Sequence, residues 1–442
     1  SGDPGGRHAT PRRTHQSVLC FVMFFLACPV VACSAPATTQ TVVRRATPTV
    51  VMAGGEAVLP HSQIFYHDAP LPTLADFQVG ADAWTLAGYD SDGTRSVAMP
   101  ACCSTDSALP LWFAASSAPL LYAPIIGNGH IYLLAADGYL HVLNQQDGSE
   151  AWRVAVGGDL TSNGLALAHG LLYVALDGHY IAALDATTGQ ERWRFDTGGV
   201  VRAAPLVVGH ILLVESGPNT LWCLDALTSE KYWVFHSEDA LAQFWPSRTP
   251  PVIASGLVYV ALGAANEFNA LNLRTGRKVW ESSVPERMTG GPVLDQGLGL
   301  VYVLTWSGHL LAYDAHSGAL RWKIALPGGS ESSPALDEQT HTLYLGSFDG
   351  SLYAIDARTG HVQWRLATGS PVTASPLVVQ GATQSRVIAA TQAGLCIMVD
   401  ARSGRRLNTW NLGELRAAPV MAQGILYLAS LGKQGLFALE LQ

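Results

Sequence analysis

The sequence predicts an all-β protein, an eight-bladed β-propeller whose blades are four-stranded antiparallel sheets. One observation behind this is the phrase Ala-x-Asp-x-x-x-Gly-x-x-x-Trp, which returns about every 40 residues from about Leu121 to the C-terminus. The other is the Asp-Gly pair between alternating apolar stretches, which is typical of a β-hairpin turn. A fixed period of this length indicates a propeller or a solenoid, and four strands in each repeat favour the propeller.

One repeat, residues 332–366, shows how the strands are predicted. In residues 341–347, Leu343 and Leu345 alternate around Tyr344 as in a strand. The Asp349-Gly350 turn then leads into a strand over 351–356. A second turn follows at 356–360, where an Asp side chain accepts backbone N–H bonds and a Gly supplies the positive φ. The fourth strand, 361–366, carries the Trp of the phrase.

The recurring Trp has a packing reason. Adjacent blades stack face to face, so a large indole on an outer strand needs a small residue opposite it, as Ala354 stands opposite Trp364. The buried indole N–H then needs an acceptor. We therefore interpret these residues as structural docking tryptophans in preference to an aromatic ligand cage; they are Trp112, Trp152, Trp193, Trp233, Trp280, Trp322 and Trp364.

The number of repeats predicts how the ring closes. Trp112 has no preceding repeat of its own, and the last repeat, 419–442, stops before its fourth strand. Ser229 replaces the Gly of one copy, and Asn408 replaces the Trp of another. The simplest closure gives the Trp112 strand to the C-terminal blade, which makes eight blades and leaves no open sheet edge between the termini.

These repeats resemble the quinoprotein-type propellers, whose eight blades carry the same docking phrase. The resemblance covers 84–442, including the lead-in Trp84-Thr85-Leu86-Ala87-Gly88-Tyr89-Asp90. It implies one of two functions. Some members are alcohol or glucose dehydrogenases that use pyrroloquinoline quinone (PQQ) and Ca²⁺; others are non-enzymatic, such as the lipoprotein of the outer-membrane β-barrel assembly machine. The fold does not decide between them.

The N-terminal residues predict export and a lipid anchor. Arg12 and Arg13 precede an apolar run over 18–27, and Val30-Val31-Ala32-Cys33 resembles a bacterial lipobox. We expect a signal peptide over 1–33, with Cys33 as the lipid attachment site. Residues 34–83 are predicted to be a flexible tether and irregular lead-in, followed by the propeller over 84–442.

Composition and cysteines limit the function classes. The net charge of −8 argues against a nucleic-acid partner. Cys223 and Cys396 lie in apolar strands and are expected to be buried small hydrophobes. Cys102-Cys103 is a candidate vicinal disulfide in an oxidising compartment. The dehydrogenases use such a pair over their cofactor within the propeller, whereas this pair precedes the blades.

Two sets of residues are candidate binding sites. One position, read in register just before the innermost strands, is occupied by Arg202, Arg248, Glu331 and Arg416. These side chains are expected around the channel mouth. The arginines there would either bind an anion or belong to a solvated ring. The long segment 236–247 contains Phe244 and Trp245, which are either a partner anchor or a local plug. The histidines show no metal-ligand spacing, so no metal site is predicted.

The sequence favours a non-catalytic, lipid-anchored, extracytoplasmic propeller that acts as a protein-binding or assembly scaffold, as a monomeric ring without a cofactor. One alternative is a PQQ- and Ca²⁺-dependent dehydrogenase, in which Glu331 and Asn163 would have to serve near the channel. The other is a sensor that binds a small ligand in the channel. The sequence names neither the protein partner nor the membrane.

Overall fold

The computed structural model describes residues 86, 93–98, 107–157, 164–176, 178–201, 203–217, 219–237, 249–262, 266–381 and 384–441. All of them belong to one compact unit, Pro60–Gln442. The regular elements of these residues are β-strands in eight sheets, each of which forms one blade of a propeller. None of these residues lies in a helix long and apolar enough to cross a membrane.

Blades 1 to 4 each contain four consecutive strands that run outward from the centre of the ring. Blade 1 contains β3 (Ile125–Gly127), β4 (His130–Leu134), β5 (Tyr139–Asn144) and β6 (Glu150–Ala155). Blade 2 contains β7 (Leu165–Ala168), β8 (Leu171–Leu176), β9 (Tyr180–Asp185) and β10 (Glu191–Asp196). Blade 3 contains β11 (Leu206–Val208), β12 (Ile211–Ser216), β13 (Thr220–Asp225) and β14 (Lys231–His236). Blade 4 contains β15 (Val252–Ala254), β16 (Leu257–Val260), β17 (Glu267–Asn272) and β18 (Lys278–Ser283).

Blades 5 to 7 repeat this order, and blade 8 takes its outer strand from the N-terminal side of the chain. Blade 5 contains β19 (Val293–Asp295), β20 (Leu300–Leu304), β21 (His309–Asp314) and β22 (Leu320–Ala325). Blade 6 contains β23 (Ala335–Asp337), β24 (Thr342–Ser347), β25 (Ser351–Asp356) and β26 (Val362–Ala367). Blade 7 contains β27 (Leu377–Gln380), β28 (Arg386–Ala390), β29 (Leu395–Asp400) and β30 (Arg406–Asn411), with β1 (Ser96–Ala98) added at its inner edge. Blade 8 contains β31 (Val420–Ala422), β32 (Ile425–Ser430), β33 (Gly435–Leu441) and β2 (Ala108–Ala115).

In blades 2 to 7 the turn between the third and fourth strands follows the chemistry predicted from the phrase. In blade 6, Oδ1 of Asp356 accepts hydrogen bonds from the backbone N of Arg358 at 3.0 Å and of Thr359 at 2.9 Å. Asn272 does the same in blade 4, where its Oδ1 accepts from the backbone N of Thr275 at 3.0 Å. The turn therefore needs a short side-chain oxygen, and it does not need a charge.

The Gly of the phrase is required by the preceding blade. Gly360 has a φ of +76°, and a Cβ built on it would lie 2.8 Å from the ring of Trp322. In five other blades the corresponding Gly faces the Trp of the preceding blade in the same way; they are Gly148, Gly189, Gly276, Gly318 and Gly404. A Cβ at these positions would crowd the indole, although blade 3 has Ser229 at this position and Trp193 still donates to the Ala226 carbonyl at 3.2 Å.

In blades 2 to 6 the indole N–H donates to a backbone carbonyl of the next blade. The Ala357 carbonyl of blade 6 accepts hydrogen bonds from Trp322 Nε1 at 3.1 Å and from the Tyr302 hydroxyl at 3.0 Å, both in blade 5. The Ala401 carbonyl of blade 7 accepts the same two kinds of donor from blade 6, at 2.9 Å from Trp364 and 3.1 Å from Tyr344. One carbonyl thus fixes two aromatic side chains across a blade interface.

The docking tryptophans differ in burial. Trp233 and Trp280 are buried, at 1% and 8% exposure. The other five are half-buried at the outer rim of the ring; they are Trp112, Trp152, Trp193, Trp322 and Trp364. The side chains of the outer strands alternate in exposure, because the face with the Trp packs on the next blade and the opposite face meets solvent.

The closure predicted from the repeat count is confirmed. Strand β2 pairs antiparallel with β33, and Trp112 lies opposite Ala438 in the register that Trp and Ala occupy elsewhere. Blade 8 therefore contains both ends of the repeat region. The ring is closed by hydrogen bonds between strands from its two ends.

Strand β1 lies on the channel side of blade 7, where it pairs in parallel with β27, with Ser96 opposite Val378 and Ala98 opposite Gln380. Since β27 is the innermost strand of its blade, β1 occupies space inside the ring. Val97 is buried in the hydrophobic core at 5% exposure, whereas Ala98 is exposed.

We expect Trp233→Ala to lower the free energy of unfolding by roughly 3–5 kcal/mol, the usual cost of truncating a large core residue. The change removes a fully buried ring and its hydrogen bond to the Leu273 carbonyl. Trp306→Ala is the control because Trp306 is 42% exposed, and its effect on unfolding should be smaller. Denaturant unfolding of both variants measures the difference, and equal losses would show that the Trp docking does not carry this stability.

We expect Val97→Asp to cost roughly 1–3 kcal/mol, because an unpaired carboxylate would have to be buried against β27 or the strand would have to leave the channel. Ala98→Asp changes the next residue of the same strand, which is exposed, and should have little effect. Thermal unfolding compares the pair. If the two variants melt together, β1 contributes nothing to the folded ring.

Candidate functional site: the central channel and the linker face

The inter-blade links and the hairpins between second and third strands lie at the same end of the blades. We call this end the linker face. It contains Glu331 and Arg416, two of the residues predicted at the channel mouth. Functional residues of a rigid scaffold are commonly placed on such loops, so the linker face and the channel that opens on it are the places to look for a site.

The channel is crossed by the chain's own lead-in. The Thr94 carbonyl accepts a hydrogen bond from Leu336 N in blade 6 at 2.8 Å, and the Arg95 carbonyl accepts one from Val378 N in blade 7 at 3.0 Å. On the other side, a Cβ on Gly93 would lie 2.8 Å from the Pro292 carbonyl oxygen and 3.1 Å from Val252. The segment 93–98 therefore contacts blades 4 to 7 at once.

The backbone of this segment is shaped for the channel. Gly93 and Arg95 both have a positive φ, +72° and +52°, which is favourable for Gly and uncommon for Arg. Thr94 and Arg95 are buried at 4% and 5% exposure, and Arg95 Nε donates to the Pro376 carbonyl at 3.3 Å. A cavity of about 40 Å³ lies between this segment and the neighbouring links; its lining includes Leu86, Pro205 and Pro251.

The described part of the channel does not fit a quinone with a Ca²⁺ ion. Such a site needs a space for a planar cofactor and several oxygen ligands that converge on the metal. Segment 93–98 takes the space, and no three His, Cys, Asp or Glu side chains among the described residues converge as a metal site. Glu331 is exposed, and Asn163 lies outside the described residues.

The predicted channel-mouth set is only partly described. Glu331 and Arg416 lie on the linker face in the links that precede β23 and β31, and both are exposed. Arg416 Nε donates to Glu414 Oε1 at 2.8 Å, so this arginine is already paired with a neighbouring acid. Arg202, Arg248, Phe244 and Trp245 lie outside the described residues, as do Cys33, Cys102 and Cys103.

A second cleft, of about 310 Å³, lies between blades 8 and 1, and its lining includes Ala114, Leu436, His141, Glu150 and Arg153. His141 is the buried polar residue of this cleft. Its Nε2 is 2.9 Å from Asp137 Oδ2 and its Nδ1 is 2.7 Å from Glu150 Oε2. Both ring nitrogens thus have partners within one blade, and the imidazole has no nitrogen left to bind a ligand.

The two described thiols are structural, as the sequence predicts. Cys223 and Cys396 are fully buried and free. Burial raises the pKa of the Cys396 thiol to about 12 and raises that of Cys223. Neither is a nucleophile at neutral pH, because the thiolate is the reactive form.

Sequence reasoning missed an aromatic and cationic cluster on the linker face. Trp306 lies in the hairpin of blade 5, and Phe348 lies at the same hairpin position of blade 6. The Arg287 guanidinium stands 4.8 Å from the centre of the Trp306 ring. Trp306 is outside the docking register. Its position in the repeat, between the second and third strands, is the signal that would have distinguished it from the docking tryptophans.

Comparison with known proteins places this ring in a family. The sequence profile described as "Outer membrane protein assembly factor BamB" matches residues 94–162, 137–297 and 264–442, which together span 349 of the 442 residues. No curated protein matches the chain.

Solved structures of similar shape include both functional kinds. A europium-containing methanol dehydrogenase is 16% identical with a TM-score of 0.67, over 80% of this chain and 90% of that one. The quinohemoprotein alcohol dehydrogenase from Comamonas testosteroni is 16% identical with a TM-score of 0.64, over 81% and 80%. BamB from Moraxella catarrhalis is 19% identical with a TM-score of 0.58, over 77% and 98%. These likenesses show the shared fold, and the profile match shows that the chain belongs to the family of the outer membrane protein assembly factor BamB.

Proposed function

We propose that this protein is a non-catalytic scaffold that binds a protein partner during assembly of a larger complex. The observation that carries this proposal is the channel segment 93–98, which fills with the protein's own backbone the space that a channel-bound cofactor or small ligand needs. The family described as an assembly factor is consistent with this. The same segment argues against the alternative of a sensor that binds a small ligand in the channel.

The scaffold would act outside the cytoplasm, held to a membrane by lipid on Cys33. Support for this comes from the sequence alone, from the apolar run over 18–27 and the Val-Val-Ala-Cys motif that follows it. A rigid ring on a tether of Ala, Thr and Pro would keep its linker face free to meet a partner near the membrane.

The competing candidate is a PQQ- and Ca²⁺-dependent dehydrogenase, which the two dehydrogenases of similar fold favour. Since the described residues offer neither the space nor the metal ligands, we expect no dye-linked oxidation of alcohols or sugars by the purified protein. The assay should supply PQQ with Ca²⁺ and, in a parallel reaction, with Eu³⁺. A known quinoprotein dehydrogenase in the same buffers is the positive control, and robust turnover by this protein would overturn the scaffold proposal.

For the anchor, we expect a fatty acid to be attached at Cys33. Growth of expressing bacteria with a labelled fatty acid should label the wild-type protein and not a Cys33→Ala variant. Cys28→Ala, in the same N-terminal region, is the matched control and should keep the label. Equal labelling of wild type and Cys33→Ala would refute the assignment of the attachment site.

A further inference from the structure

We propose that Arg287, Trp306 and Phe348 form a docking surface, which we call the Arg–Trp surface, for an acidic, extended segment of a protein partner. The proposal rests on the scaffold function and names the chemistry of the partner. The three residues come from the link before blade 5 and from the hairpins of blades 5 and 6, so they meet on the linker face.

Trp306 is held as a rigid anchor. Its backbone N donates to the Arg287 carbonyl at 3.1 Å, and its own carbonyl accepts from Ser330 N at 3.2 Å. Its ring lies 5.5 Å from the Phe348 ring, at an angle of 60°. The indole is therefore fixed by backbone bonds to two links and by two side chains, although 42% of the residue is exposed. A fixed, exposed indole loses little conformational entropy when a partner covers it.

The aromatic residues are specific to these two blades. The hairpin position of Trp306 and Phe348 is occupied by small or aliphatic or amide residues in the other described hairpins; they are Ala136, Gly217, Gln392 and Leu431. The ring packing of the blades does not need an aromatic residue there, because four blades fold without one. Trp306 and Phe348 thus require a reason other than the fold.

Among the described charged groups around the Arg–Trp surface, Arg287 is the cation that is available to a ligand, and Glu286 is the nearby acid. Glu286 Oε1 accepts hydrogen bonds from Ser307 and Thr305 hydroxyls and from the Ser307 backbone N, and it lies 3.2 Å from His309 Nδ1. Burial alone would raise the pKa of the Glu286 carboxyl, but these donors outweigh it and hold the pKa at about 2. Glu286 is thus a carboxylate whose Oε1 is held by the hairpin of blade 5.

Asp349, the acid beside Phe348, is also engaged. Its Oδ2 accepts from the Tyr353 hydroxyl at 2.6 Å and from Arg365 Nη2 at 2.9 Å. Arg287 is exposed and makes no ion pair with any described residue. Its guanidinium keeps its charge and its donors for a ligand, while its flat face rests on Trp306.

This arrangement fits a carboxylate that is followed by an apolar side chain. A guanidinium binds a carboxylate through two parallel N–H bonds, and stacking on an indole orients it for that geometry. The exposed part of Trp306 then covers the apolar side chain, as Trp and Arg do at the energetic centres of interfaces. A segment in extended conformation presents both groups within reach of one hairpin and one link.

The test uses the whole chain and three labelled peptides, acetyl-Glu-Phe-Glu-Leu-Glu-amide and its Gln and Lys counterparts, followed by fluorescence anisotropy. We expect saturable binding of the Glu peptide and a loss of about tenfold or more in affinity for Trp306→Ala and for Arg287→Ala. Arg287→Glu should reverse the preference toward the Lys peptide. Glu331→Gln removes an exposed acid one residue beyond Ser330 and should strengthen binding of the Glu peptide.

The matched control is a second arginine over an exposed aromatic ring. Arg153 stands 5.5 Å from the Tyr139 ring on blade 1, but it lies 3.9 Å from Glu150 and is thus already near an acid. Arg153→Ala should keep full peptide binding. Unchanged melting temperatures would show that the Arg287 and Trp306 variants remain folded.

Equal binding of the Glu and Gln peptides, or undiminished binding by Arg287→Glu, would overturn the proposal. So would Trp306-dependent binding to phosphatidylglycerol vesicles without binding of the Glu peptide, which would make the surface a lipid site. Dehydrogenase turnover would defeat the scaffold function even if the peptide bound, whereas no turnover and no peptide binding would defeat the Arg–Trp surface alone.

Discussion

The ring depends on one interaction that recurs between neighbouring blades, in which an indole and a phenol from one blade donate to a single carbonyl of the next. At the interface of blades 4 and 5, Trp280 Nε1 and the Tyr259 hydroxyl both bond the Ala315 carbonyl, at 3.0 Å and 3.1 Å. The carbonyl lies in the Asp-x-x-x-Gly turn, and the Gly of that turn leaves the space for the indole. Turn, Trp and carbonyl must therefore be present together, which is why they repeat as one phrase.

Both hydrogen bonds are made between blades 4 and 5, 5 and 6, and 6 and 7, and the interface where the ring closes has the packing without them. Trp112 of blade 8 packs on Gly148 of blade 1, but neither its Nε1 nor the Tyr427 hydroxyl donates to a carbonyl of blade 1. Between blades 7 and 8 the Trp is replaced by Asn408, which stands opposite Met398 in place of the usual Ala. Because an unbonded buried donor costs free energy, blade 8 relies on the pairing of β2 with β33 for its attachment.

The same ring serves dehydrogenases and assembly factors because the docking phrase holds the blades and leaves the channel and the links free to vary. In this protein the channel is filled by segment 93–98, through carbonyls that accept from Leu336 and Val378. The residues of the linker face vary between blades, and Arg287 and Trp306 are among them.

The sequence by itself determined the blades, their number and their closure, since Asp356, Gly360 and Trp364 act within one hairpin or on its nearest neighbour, and such local rules are legible in the order of residues. It also placed the Trp112 strand in the C-terminal blade by the count of strands, and the structure pairs Trp112 with Ala438. Only the tertiary structure decided what fills the channel, because 93–98 has no period and is held by residues more than 200 positions away. Residue type likewise does not separate Trp233, which is buried between blades, from Trp306, which is exposed. Their difference arises from the register of the strand or hairpin that carries each, and the burial of a side chain is fixed by what the folded ring brings against it.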